Sequence, residues 1–153
     1  MKVILFTFLL LSSTVACQQV QDIDEIRHLY VHAQKEKATC QQLYHLTENS
    51  NLSANFLAFS YHEVAKMMLS KHDSNTVKKW SYFYKGKDML ENAINKYPNN
   101  LELRFLRYCV QLNVPDFLAY NSNLESDKEI ITNQIDEQTE SLQLFIKPIL
   151  KTL

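Results

Sequence analysis

One glycine, Gly86, stands among 153 residues, and it lies inside a helical pattern. A phosphate-cradling loop or a dinucleotide fingerprint needs several glycines, because the backbone there must approach phosphate without a Cβ. Tight β-hairpins need glycine at positive φ, usually after asparagine, and no Asn-Gly pair occurs. Nucleotide-binding α/β folds and hairpin-rich β folds are therefore excluded. No alternating strand pattern of useful length is present either. Net charge is also small, −1, which gives no overall electrostatic reason to bind nucleic acid or an anionic membrane. The charge is nonetheless uneven. Nine Lys/Arg stand against four Asp/Glu from Lys66 to Arg107, and seven acids against three bases from Asp116 onward. The basic middle reads either as solvated helix faces or as a partner-binding region.

Long apolar runs are confined to the first residues. "MKVILFTFLLLSSTVACQQ" has one Lys, an apolar run from Val3 to Leu11 and small residues before Cys17, the layout of a secretory signal. The run is shorter than the roughly 20 apolar residues that a membrane-crossing helix needs. Thr14-Val15-Ala16-Cys17 also resembles a bacterial lipobox, which would make Cys17 a lipidated first residue. Plain cleavage after Ala16 fits the same residues. The expected layout is a signal peptide over 1–16, a tether over 17–22 and one helical domain over 23–153. The expected location is the periplasm or envelope, with membrane contact only through a lipid on Cys17. Export leaves Cys40 and Cys109 where a disulfide is allowed, and both also suit buried free thiols.

What the chain does have is helical periodicity. Ile23, Ile26, Tyr30, Ala33, Cys40 and Tyr44 predict one helix over 24–46. Ser53 is a plausible cap for a second, with Phe56, Leu57, Tyr61, Val64, Met67 and Met68 as its stripe. A third runs over 76–97 and buries Val77, Trp80, Phe83, Tyr84, Leu90, Ala93 and Ile94, until Pro98 stops it. Asn99 or Asn100 then caps a fourth, carrying Leu103, Leu106, Cys109 and Val110. Ser126-Asp-Lys-Glu129 has the form of a capping box for a last helical region, which Pro148 should kink or shorten. The fold class is all-α, an antiparallel bundle or array of about five helices.

In "GKDMLENAINKYPNN" the positions Gly86, Leu90, Ala93 and Pro98 resemble the second helix of a tetratricopeptide repeat. Leu103, Leu106 and Val110 fall where the next repeat's first helix places large apolar residues. Arg107 stands where that motif wants a small residue. "PNNLELRFLR" followed by "NVPDFLAYNSNLESDK" resembles a group of short, uncharacterised exported helical proteins of Bacteroidetes-type bacteria, a likeness running from about Ile23 to Ile131. It implies an exported helical domain and brings no activity or ligand.

No local motif specifies a reaction. His28, His32 and Glu25 share one side of a helix, but no second ligand helix accompanies them, so no metal is expected. Cys40 and His45 fall on different faces, and His62-Glu63 lies off its helix's apolar stripe. Asn51-Leu-Ser53, formally a glycosylation acceptor, reads as loop and cap. No cofactor is expected. The expected function is a module that binds a protein or peptide in the bacterial envelope. The alternative is a small-ligand binder or enzyme using Arg104, Arg107, Tyr108 and the 113–124 loop. That loop carries Asp116, Phe117, Leu118 and Tyr120. The expectation is that Phe117 and Leu118 fold back onto the bundle, with Tyr120 near the edge and Arg104 and Arg107 donating to loop carbonyls or to Asp116.

Overall fold

Asparagine does much of the punctuation that glycine does elsewhere. The side chains of Asn55, Asn75 and Asn100 each accept from a backbone amide three residues on, and each starts a helix. The computed structural model describes residues 22–152, and every regular element among them is helical. In chain order these are α1 (Ile23–Ala33), α2 (Lys37–Thr47), α3 (Phe56–Ser70), α4 (Thr76–Lys96), α5 (Leu101–Asn113), α6 (Leu124–Gln134) and α7 (Glu140–Leu150). Short 3₁₀ turns at Asp116–Leu118 and Ile135–Glu137 complete them. Among the described residues no helix is long and apolar enough to cross a membrane. The expected signal peptide and Cys17 lie outside the described residues.

α3 is the hub and packs against α1, α2, α4 and α5. Its small residues allow this. Ala58, Ser60, Ala65 and Ser70 are buried on different sides of one helix, with Tyr61 and Val64 between them. Gly86 of α4 makes a close crossing with α3. A Cβ there would sit 2.5 Å from Met67 Cγ and 2.9 Å from the Glu63 carbonyl oxygen of α3, so only glycine fits without movement. Leu90, Ala93, Leu103 and Leu106 are fully buried in the same core. Trp80, expected beside them, is only partly covered.

Several expectations change: among the described residues seven α-helices stand where about five were expected, and Val77 and Tyr84, expected buried, are exposed. The helix expected over 24–46 is two helices, α1 and α2, turning through residues 34–36. A continuous stripe through Ile26, Tyr30 and Ala33 would put Lys37 in the core, and the turn leaves Lys37 exposed instead. The second helix is capped by Asn55, not by Ser53. The expected capping box at Ser126 is absent, because α6 has already begun at Leu124 and buries Asp127. Pro148 lies inside α7, which continues to Leu150.

Two buried ion clusters tie the helices together, and both start on α5. Glu102 accepts from Arg27 Nε at 2.8 Å and Nη2 at 2.7 Å, and from the Tyr61 hydroxyl at 2.7 Å, joining α5 to α1 and α3. Arg107 donates to both oxygens of Asp127 at 2.6 and 2.8 Å, and to Glu91 at 2.9 Å, joining α5 to α6 and α4. Buried charges are tolerated when paired and hydrogen-bonded in this way.

Candidate functional site

The expected site residues separate into two groups. Arg107 and Tyr108 are buried, and Arg104 is half-buried. Arg104 donates to Asp127 at 3.2 Å and to the Pro98 carbonyl at 3.0 and 3.2 Å. Neither arginine turns to Asp116 or to the loop carbonyls. Their carboxylate is Asp127, because the earlier start of α6 brings it across from α5 with no exposure at all. Burial opposes the charge on Arg107, but the paired carboxylates outweigh it and hold the guanidinium pKa above its ordinary value.

The loop is arranged opposite to expectation. Tyr120 is the buried residue, 5% exposed, and its hydroxyl donates to Glu91. Phe117 is 72% exposed, while Leu118 is half-buried. The hinge between them is Ala119, held in the left-handed region at φ 48°. Reversal there sends Tyr120 inward, where Glu91 can receive its hydroxyl, and leaves the 3₁₀ turn with Phe117 and Asp116 outside. Burial raises the Tyr120 pKa, so the phenol remains a donor to Glu91 at neutral pH.

Phe117 is exposed but not isolated. Its ring meets Trp80 edge-on, centroids 5.6 Å apart, and Trp80 stacks with Tyr84 at 6.3 Å. Trp80 and Phe117 line a cavity of about 530 Å³ at one end of the bundle. The C-terminal ends of α1, α3 and α5 converge there with the start of α4, and the loop forms the remaining wall. Val64, Met67, Phe83 and Val110 line the apolar interior. Leu118 and Pro115 contribute from the loop, and Lys71, His72 and Lys79 from the α3–α4 turn and the first turns of α4. The volume lies within the range of roughly 300–1,000 Å³ seen for small-molecule sites, and the lining mixes apolar and polar side chains.

Cys109 also lines the cavity, and its thiol is raised to about 12 by burial. Burial likewise raises Cys40 to about 11. Both are free and buried, so they remain thiols at neutral pH and are poor nucleophiles. Cys40 and Cys109 do not form the disulfide that export would allow.

The other residues considered from sequence lie elsewhere. His28 and His32 are exposed with ring centroids 4.9 Å apart, and no cluster of three metal-ligating side chains occurs among the described residues. His45 is exposed while Cys40 is buried. His62 stacks on Tyr44 at 4.4 Å, and burial lowers its pKa. Glu63, expected off the apolar stripe, is buried and accepts from Lys66 at 3.0 Å. A second, shallower depression at the other end of α1 is bordered by Asp24, Arg27, Ser141 and Phe145. Sequence reasoning missed the cavity, although its basic edge falls within the basic stretch from Lys66 to Arg107. The one local signal was "KHDSNTVKKW", where cations run up to the only tryptophan of the chain. No protein-family model, curated protein or solved structure matches this chain.

Proposed function

We propose that this chain acts by non-covalent binding and that the end cavity is its site, taking an apolar small molecule. The observation that carries this reading is the cavity of about 530 Å³ with an apolar interior, flanked by an aromatic side chain, Phe117, that the fold leaves 72% exposed. Leaving a large apolar side chain in water forgoes roughly 1.5–3 kcal/mol of burial. An occupant that covers Phe117 recovers part of it. Arg104, Arg107 and Tyr108 do not line the cavity and serve as ion-pair and packing residues, while Phe117 and Leu118 meet the guest.

A second reading is the protein or peptide partner expected from sequence. Val77, 78% exposed, and Tyr84, 45% exposed, lie on the α4 face that also carries Trp80, so an apolar strip continues outward from the cavity. A tetratricopeptide-like middle is part of this reading, supported by the glycine crossing at Gly86 and by the turn after Pro98 into α5. The residues ahead of α4 depart from that motif, since 71–75 form a turn where a repeat's first helix would lie. Export to the periplasm or envelope, anchorage at Cys17 and kinship with the Bacteroidetes-type group belong to the same proposal and rest on the sequence.

A neutral solvatochromic dye such as Nile red tests the cavity reading. The protein should bind it saturably at one site, and Val110→Phe, which fills the cavity from α5, should abolish binding while the helical circular dichroism stays unchanged. Equal binding by parent and Val110→Phe would place the site elsewhere.

A further inference from the structure

We propose that the guest of this cavity is a single-chain aliphatic anion of the fatty-acid type, its chain in the apolar interior and its head at Lys71, His72 and Lys79. This rests on the cavity reading above and adds the chemistry of the occupant. The charge around the cavity carries it. Two lysines and a histidine line the cavity, and no Asp or Glu does. The chain as a whole is slightly acidic, at −1, so this edge departs from the average.

The cations are also uncommitted. Neither Lys71 nor Lys79 makes an ion pair among the described residues, whereas Lys66 and Lys147 are each paired with a carboxylate. Acids adjoining lining residues in the chain do not themselves line the cavity, and Glu63 is paired with Lys66. Asp73 accepts from the Asn75 backbone at 2.8 Å, and exposed Asp116 sits on the loop outside the lining. Val64, Met67, Phe83 and Val110 offer an aliphatic chain apolar contacts. A volume of about 530 Å³ suits one chain of ordinary length, and lies within the range of roughly 300–1,000 Å³ seen for small-ligand sites. A cationic guest would meet no carboxylate among the lining residues.

Trp80 is the only tryptophan and lines the cavity, so its fluorescence reports occupancy directly. The experiment titrates the folded, processed protein with dodecanoate, decanoate, dodecyl phosphate and dodecanol, each below its aggregation limit. Dodecanoate should change Trp80 emission saturably. Decanoate, two methylenes shorter, should bind about 15-fold more weakly, at roughly four-fold per buried methylene. Dodecanol should bind about ten-fold more weakly than dodecanoate, and Lys71→Gln with Lys79→Gln should remove that preference. These lysines hold no ion pair, so the double variant should melt like the parent. Comparing dodecanoate with dodecyl phosphate then separates a carboxylate from a phosphate-ester source. Dodecanol binding as tightly as dodecanoate, unaffected by the lysine variants, would overturn the anionic assignment and leave the cavity reading intact. No response to any chain, together with no dye binding, would overturn both.

Discussion

Arg107→Ala tests the buried geometry that places the loop. Asp127 is fully buried and receives Arg107 Nε at 2.6 Å and Nη2 at 2.8 Å, with Arg104 adding a longer contact at 3.2 Å. Breaking a buried pair from one side costs about 3–5 kcal/mol, because the remaining charge stays in a poor solvent. Arg104 still serves Asp127 after the change, so the lower end, about 3 kcal/mol, is expected. For a domain of this size that is a fall of roughly 6–12 °C in melting temperature. Arg107→Lys should recover only part of it, since an ammonium cannot present the fork that spans both Asp127 oxygens while reaching Glu91. Removing both charges, with Arg107→Met and Asp127→Leu, should cost less than the sum of the two single changes. Thermal melts and a double-mutant cycle read these outcomes. The cluster also reaches Tyr120 through Glu91, so amides of residues 113–124 should exchange faster in Arg107→Ala. Arg107→Ala melting within 1 °C of the parent would refute the reasoning. It would mean that Asp127 reaches water, and that α5 and α6 are not held as described.

Gly86→Ala sets helix propensity against crowding. Alanine gains about 1 kcal/mol in a helix interior, but its Cβ would stand 2.9 Å from the Glu63 carbonyl of α3, which cannot rotate away. Overpacking of about 1–3 kcal/mol should prevail, and a variant more stable than the parent in urea would contradict the close crossing. Phe117→Ser should leave stability within about 0.5 kcal/mol, as for other exposed positions, while weakening binding of an apolar guest; a large loss of stability would show the ring buried. Burial depresses the His62 pKa below its usual 6.5, so the folded state takes up its proton later than the unfolded chain. Its contribution is therefore present above about pH 6.5 and lost as pH falls below it. Melts between about pH 7.5 and 5.5 should show that decline diminished in His62→Gln, and an identical decline in both would count against it.

Much of the helical layout is legible where the punctuation is chemical. Asn75 and the Pro98–Asn100 stretch mark the two ends of α4 and the start of α5, and Gly86 marks the close crossing. The turn between α1 and α2 contains neither proline nor glycine, and its one trace is Lys37 falling on an otherwise apolar stripe. The loop was misread because apolar content does not say which ring goes inward. That choice is made by a hydroxyl finding Glu91, 29 residues earlier in the chain. The capping-box pattern at Ser126 and Glu129 gives way to an earlier helix start at Leu124, which carries Asp127 into its buried ion pair. The cavity leaves almost no local trace, since it is assembled from the ends of four helices and a loop. Trp80 looks like core from its spacing alone and becomes a cavity wall only when α4 begins beside the ends of α1 and α5.

The central claim is that the guest occupies the end cavity, and amide NMR of the folded protein titrated with dodecanoate tests it most directly. The account predicts saturable shifts at Ser70, Lys71, Lys79, Asn113 and Leu118, with Asp24, Arg27 and Ser141 at the far end of α1 unmoved. Shifts concentrated at Asp24, Arg27 and Ser141, or no saturable shift anywhere, would contradict it.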